Sequence, residues 1–205
     1  MTDVDGVLAI IRLRQHQPAD EILDTLTAAG VSRAEVTLPT PGSLEAISRW
    51  SGRDGVQIGA GTVRTAAQAR DAVAAGAQFL VTPIVSLSVL EEASRLSVPV
   101  VCGAASPTEI ELAWTHGAAA VKVFPARALG GPAYVRAVRE PLDDVPLIAT
   151  GGVAVDNVTD YRGAGCIGVG VGSALVSEKI VAERNWADLG AAARVFVQAW
   201  SRESR

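Results

Sequence analysis

Ala118-Ala119-Ala120-Val121-Lys122-Val123-Phe124-Pro125 is an apolar run about one strand long, with a single lysine inside it. Such a run predicts a strand buried on both faces, the kind found in parallel sheets with helices on either side. Thr115-His116-Gly117 stands immediately before it. A glycine there reads as the left-handed residue that closes a helix, so the local order is helix, then buried strand. The same order recurs. Ala28-Ala29-Gly30 precedes Ala34-Glu35-Val36-Thr37-Leu38, and Ala74-Ala75-Gly76 precedes Phe79-Leu80-Val81-Thr82-Pro83. Gly163-Ala164-Gly165 precedes Cys166-Ile167-Gly168-Val169-Gly170. The closing glycines are spaced by 46, 41 and 48 residues. Four further apolar runs, 7–12, 56–61, 98–103 and 145–150, lie between these strands.

Eight strands, each followed by a helical pattern, give units of roughly 23 residues, near the lower limit for a compact βα unit. Strict alternation with short connections predicts a parallel sheet. Eight near-equal units favour closure into a single (β/α)8 TIM barrel spanning residues 1–205. The alternative, an open doubly wound sheet, calls for a glycine-rich turn after the first strand, and Arg12-Leu13-Arg14-Gln15-His16-Gln17 contains no glycine. Helix starts are marked by Pro18-Ala19-Asp20-Glu21, Thr65-Ala66-Ala67-Gln68 and Ser106-Pro107-Thr108-Glu109. The stretch from Trp186 to Trp200 reads as the eighth helix.

With 205 residues and 49% hydrophobic content, the chain can bury a large core. The net charge of -4 and the lack of a basic patch argue against a nucleic-acid partner. Met1-Thr2-Asp3-Val4-Asp5 lacks the basic region of a secretory signal, and no apolar run reaches the ~18 residues of a membrane span. A cytoplasmic protein without a membrane partner is expected, with Cys102 and Cys166 as reduced core thiols. His16 and His116 lie far apart and near no cysteine pair, so no metal site is expected. His116 reads as a helix C-cap. The four tryptophans fall in helical stretches and read as packing or subunit contacts.

Lys122 carries the functional signal. Lysine is almost never buried without a partner or a task, and desolvation favours its neutral amine, the nucleophile that forms Schiff bases with carbonyl compounds. A solvated lysine is only about 0.04% neutral at pH 7. Side chains alternate along a barrel strand between lumen and helix layer. Val121 and Val123 suit the helix layer, which turns Lys122 inward. Val36 and Leu38 do the same for Glu35 and Thr37, and Ile11 and Leu13 for Arg12. Arg12, Glu35 and Lys122 are therefore expected to converge at the strand C-termini, where such barrels hold their active sites. A buried ion-pair network without chemistry is the plainer alternative, but buried ion pairs are weak stability devices. It also leaves unexplained the glycine-rich strand ends Gly59-Ala60-Gly61-Thr62, Thr150-Gly151-Gly152 and Gly170-Val171-Gly172-Ser173. Glycines there let a ligand approach the backbone and free N–H groups for oxyanions. The last two follow strands seven and eight, where barrels commonly bind phosphate. Helical starts at Val155-Asp156-Asn157 and Ser173-Ala174-Leu175 would add positive dipole ends.

These segments together resemble the 2-keto-3-deoxy-6-phosphogluconate / 4-hydroxy-2-oxoglutarate aldolases. The matching stretches are Ile10-Ile11-Arg12, Glu35-Val36-Thr37-Leu38, Gly59-Ala60-Gly61-Thr62-Val63, Val81-Thr82-Pro83, Val121-Lys122-Val123-Phe124-Pro125, Thr150-Gly151-Gly152-Val153 and Gly172-Ser173. The resemblance implies a class I aldolase barrel, a homotrimer, with no metal and no cofactor. It implies a small keto sugar acid as substrate, with pyruvate and glyceraldehyde 3-phosphate as products. It implies Lys122 as the imine-forming residue and Glu35 as general acid and base. Arg12, Gly59, Gly61 and Thr62 would hold the pyruvate carboxylate, with Thr82 and Pro83 walling the imine. Thr150, Gly151, Gly152, Gly172 and Ser173 would hold the distal phosphate. Pro39 departs from the phosphogluconate branch, which has arginine there. The segment is closer to the 2-dehydro-3-deoxy-6-phosphogalactonate branch, a difference that bears on stereochemical preference rather than reaction type. No lysine or arginine lies in the phosphate segments, so binding there would lean on backbone donors. That leaves room for 4-hydroxy-2-oxoglutarate or an unphosphorylated acid as substrate. A phosphate-binding barrel isomerase or synthase, or a non-catalytic sugar-phosphate sensor, is the competing class.

Overall fold

The computed structural model describes residues 5–15 and 19–201. Their elements alternate: β1 (Gly6–Ile11), α1 (Ala19–Ala28), β2 (Arg33–Thr37), α2 (Ser43–Trp50), β3 (Gln57–Gly61), α3 (Ala66–Ala74), β4 (Leu80–Val81) and α4 (Leu87–Arg95). The second half continues with β5 (Val100–Ala104), α5 (Pro107–Thr115), β6 (Ala120–Val123), α6 (Gly131–Arg139), β7 (Leu147–Thr150), α7 (Val158–Gly163), β8 (Gly168–Val171), α8 (Glu178–Ala182) and α9 (Trp186–Ser201). All eight strands pair in parallel and β8 closes onto β1, giving the expected (β/α)8 barrel.

The helix boundaries follow from local chemistry. The closing glycines Gly30, Gly76, Gly117 and Gly165 have φ of 92°, 96°, 86° and 91°, the left-handed conformation in which a Cβ is costly. The Thr65 hydroxyl accepts from Gln68 N at the start of α3. Ser106 and Glu109 form a complete capping box at α5. His116 caps the other end of α5, its Nδ1 lying 2.8 Å from Leu112 O. The helix start expected around Pro18, like His16, lies outside the described residues.

Two expectations about elements are corrected. The last unit holds two helices, so Trp186–Ser201 is α9 and the short α8 precedes it. β4 is cut to two residues because Pro83 has no N–H to extend the ladder.

The strand parity holds around the barrel. Val7, Ala9, Ile11, Val36, Val121 and Val123 belong to the large apolar layer between sheet and helices. A separate inner cluster of Leu8, Phe79, Val81, Val101, Ala120 and Ile148 fills the lumen. Two residues further along several of those strands, toward the C-terminal end, the lumen carries Ile10, Lys122 and Thr150. The apolar plug therefore forms the floor of the site and excludes water from below. Among the described residues no helix is long and apolar enough to cross a membrane, and no cluster of three or more His, Cys, Asp or Glu could hold a metal.

Candidate active site

A cavity of about 610 Å³ opens at the C-terminal end of the barrel. That is the size range of small-molecule sites. Its lining includes Arg12, Glu35, Lys122 and Arg127, two guanidinium groups with one lysine and one glutamate. The balance suits an anionic ligand.

Lys122 is 6% exposed and Glu35 is 2% exposed. Each is placed by its strand: Lys122 pairs with Gly103 on one side and Ile148 on the other, and Glu35 with Ile10 and Gly59. Burial pushes the Lys122 ammonium below its ordinary pKa; Glu35 opposes the shift and Arg12 adds to it. Burial pushes the Glu35 carboxyl up, against the pull of Lys122 and Arg12. Both groups thus move toward their neutral forms, as desolvation requires. Lys122 Nζ lies 5.4 Å from the Phe124 ring centroid and makes no hydrogen bond or ion pair among the described residues. Glu35 Oε2 is buried without a hydrogen bond among them. A proton-poor amine can attack a carbonyl, and a carboxyl in the same cavity with an unpartnered oxygen can shuttle the protons that follow.

Arg12 extends from the end of β1, and its Nη2 donates to Thr62 Oγ1 at 2.8 Å. Thr62 has φ of 60°, a conformation rare for a β-branched residue and one that clusters at functional sites. Arg12, Thr62 and Glu35 all line the cavity. Pro39 is exposed and lies outside the cavity lining.

Gly59, Gly61 and Thr82 are placed differently from expectation. None lines the cavity. A Cβ on Gly61 would fall 2.4 Å from Glu35 Oε1, and one on Gly59 would fall 2.4 Å from the Phe79 ring. These glycines clear space for neighbouring side chains. Thr82 points to the outer face, because Pro83 holds the inward parity position. Thr82 Oγ1 donates to Ile84 O and accepts from Gly103 N, bracing the segment that carries Pro83.

At the distal side, Thr150, Gly151, Gly152, Gly172 and Ser173 all line the cavity. Gly151 and Gly152 have φ of 92° and 81°. Among the described residues the N–H groups of these two, of Gly172 and of Ser173 donate to no protein acceptor. Thr150 Oγ1 is likewise buried and unpartnered among them, and Gly170 leaves the space it needs: a Cβ there would lie 2.4 Å away. The expected helix dipoles are absent. Ser173–Leu175 is a single turn closed by Leu175 N to Gly172 O, and α7 begins only at Val158, with the Asn157 side chain already occupying Ala154 N.

Arg127 is the residue that strand-end reading missed. It lies outside the glycine segments, in the turn after β6. Arg127 N bonds to Gly151 O at 2.9 Å, which brings it to the cavity. Only the folded contact between the β6 and β7 loops reveals this.

The family model for KDPG and KHG aldolase matches residues 2–192. The chain belongs to the KDPG and KHG aldolase family. A 2-dehydro-3-deoxy-phosphogluconate aldolase of Pseudomonas aeruginosa is 34% identical over 97% of this chain and 91% of its own length. A 2-dehydro-3-deoxy-6-phosphogalactonate aldolase of Escherichia coli is 35% identical over 82% of this chain and 84% of its own. Among solved structures, a KDPG aldolase from Legionella pneumophila, with pyruvate captured as a covalent carbinolamine intermediate, superposes with a TM-score of 0.86. It is 29% identical and covers 95% of both chains. Membership of this family makes the chain an aldolase fold whose cavity holds one buried lysine and one buried carboxylate.

Proposed function

We propose that the chain is a class I aldolase cleaving a 2-keto-3-deoxy-6-phospho sugar acid to pyruvate and glyceraldehyde 3-phosphate. The observation that carries this reading is the burial of Lys122 and Glu35 in one cavity, each shifted toward its neutral form.

Neutral Lys122 Nζ attacks C2 of the keto acid, giving a carbinolamine. Glu35, held protonated by burial, gives its proton to the carbinolamine hydroxyl, which leaves as water and yields the iminium. Glu35, ionised by that transfer, takes the C4 hydroxyl proton, the C3–C4 pair collapses onto the iminium, and the aldehyde departs. Glu35 returns the proton to C3 of the enamine, and water hydrolyses the imine to release pyruvate. Arg12 and Thr62 hold the C1 carboxylate. The backbone N–H groups of Gly151, Gly152, Gly172 and Ser173 hold the distal phosphate.

Within this reading residues 1–205 act as one catalytic domain in the cytoplasm, assembled as a homotrimer. The segments after β4 and β6 expose Ile84, Leu87 and Phe124, at 55%, 46% and 40%, in support of a subunit contact there. Pro39, standing where the phosphogluconate branch has arginine, supports the phosphogalactonate-type substrate over its C4 epimer, which product assays on both epimers resolve. The deciding experiment is borohydride reduction in the presence of pyruvate. A covalent adduct is expected on Lys122 and none on Lys122→Ala; full labelling of the variant would overturn the assignment.

A further inference from the structure

Arg127 has no place in the mechanism above, yet its position is closely fixed. Ala126 N bonds to Thr150 O at 2.8 Å and Arg127 N to Gly151 O at 2.9 Å, so the turn after β6 is stapled to the end of β7. The side-chain stem then runs across Gly152: a Cβ there would lie 2.4 Å from Arg127 Cβ and 2.7 Å from its Cδ. Gly152 is therefore the only residue type that leaves this arginine room beside the cavity. The side chain is exposed, and its guanidinium makes no hydrogen bond or ion pair among the described residues. Arg49, Arg53, Arg70 and Arg95, by contrast, each pair with a carboxylate.

The two other basic side chains of the cavity are committed. Arg12 is turned to Thr62 on the β3 side, and Lys122 is buried at the floor. The end bounded by Gly151, Gly152, Gly172 and Ser173 offers backbone N–H groups, which carry no net charge and can donate to a hydroxyl oxygen as well as to an anion. A guanidinium beside them changes the selection. Its planar fork matches phosphate geometry and its charge is permanent.

We propose that Arg127 is the specificity residue for the far end of the substrate, pairing with the terminal phosphate and selecting phosphorylated over unphosphorylated 2-keto-3-deoxy acids. This rests on the aldolase reading of the cavity, which pyruvate trapping tests separately. The alternative role for Arg127 is structural, since its charge also acts on the buried Tyr161 hydroxyl.

The test uses Arg127→Gln and Arg127→Lys in the full chain. For the phosphorylated acid, Arg127→Gln is expected to raise KM about 10- to 100-fold with kcat within about twofold, the loss typical of one charge-assisted contact. KM for the unphosphorylated acid and the yield of borohydride-trapped pyruvate stay unchanged, and Arg127→Lys recovers part of the loss. Titration calorimetry with inorganic phosphate gives a readout that needs no turnover. Its binding should weaken by roughly tenfold in Arg127→Gln. An equal KM change for both acids, or unaltered phosphate binding, overturns the proposal. Loss of pyruvate trapping in the unmodified chain overturns the aldolase reading instead and leaves the phosphate titration to decide on Arg127.

Discussion

Lys122 and Glu35 each sacrifice solvation for reactivity, and that leaves a signature in pH. The Lys122 pKa is lowered from its ordinary 10.5 by burial, so its stabilising contribution is full above 10.5 and is lost as pH falls through the folded value. The Glu35 pKa is raised from 4.5 by burial, so its contribution is present below 4.5 and is lost as pH rises through the folded value. The two together predict a trough in stability between the folded pKa values. Denaturant titrations from pH 4 to pH 11 should show the trough in the unmodified chain and a flatter profile in Glu35→Gln/Lys122→Met; identical profiles would refute the coupling. The rate of pyruvate trapping should rise with pH and reach half its maximum well below the ordinary lysine value. Glu35→Gln keeps the shape but not the proton transfer. Its kcat for cleavage should fall about 10²- to 10⁴-fold while pyruvate still forms a trapped adduct. Strand parity alone was enough to find these two residues, because alternation between lumen and helix layer is a period-two pattern in one segment. Arg127 was out of reach of that argument, since its place depends on hydrogen bonds from a loop to the next strand.

The strands of this barrel differ in how much room they leave, and their glycines are not equivalent. At Gly61 an added Cβ meets a side-chain carboxylate at 2.4 Å; at Gly103 it meets the Pro83 backbone at 2.5 Å. A carboxylate can rotate and a backbone in a ladder cannot. Gly61→Ala is therefore expected to cost about 1–3 kcal/mol and to impair cleavage through a displaced Glu35. Gly103→Ala should cost more, with the larger fall in Tm by calorimetry; the reverse ranking would contradict the packing described. Gly59 and Gly61 were read as ligand-facing from their place at a strand end, and Thr82 from the family resemblance. A glycine next to a bulky lumen residue gives the same sequence signal as a glycine next to a ligand. The helix caps were easier, because Thr65, Ser106 and Glu109 act over three residues and need no distant partner. The eighth unit was harder: the short α8 carries too few residues for a periodic pattern to separate it from a loop.

At the scale of the whole molecule, the closed barrel was readable because the glycine-marked units recur at near-constant spacing and each repeats the same local order. The assembly was not, since nothing periodic marks a subunit contact. If Ile84, Leu87 and Phe124 sit between subunits, Ile84→Asp should shift light scattering from a three-chain mass toward one chain; an unchanged mass would move the interface elsewhere. Closure itself has a consequence for how the protein is made. β1 takes its second neighbour from β8, with Gly6 opposite Gly168. A chain emerging from the ribosome carries β1 with one side unsatisfied until β8, with Gly168, has been synthesised. During that interval β1 is open to pairing with other nascent chains, and the last strand to arrive is the one that ends the exposure.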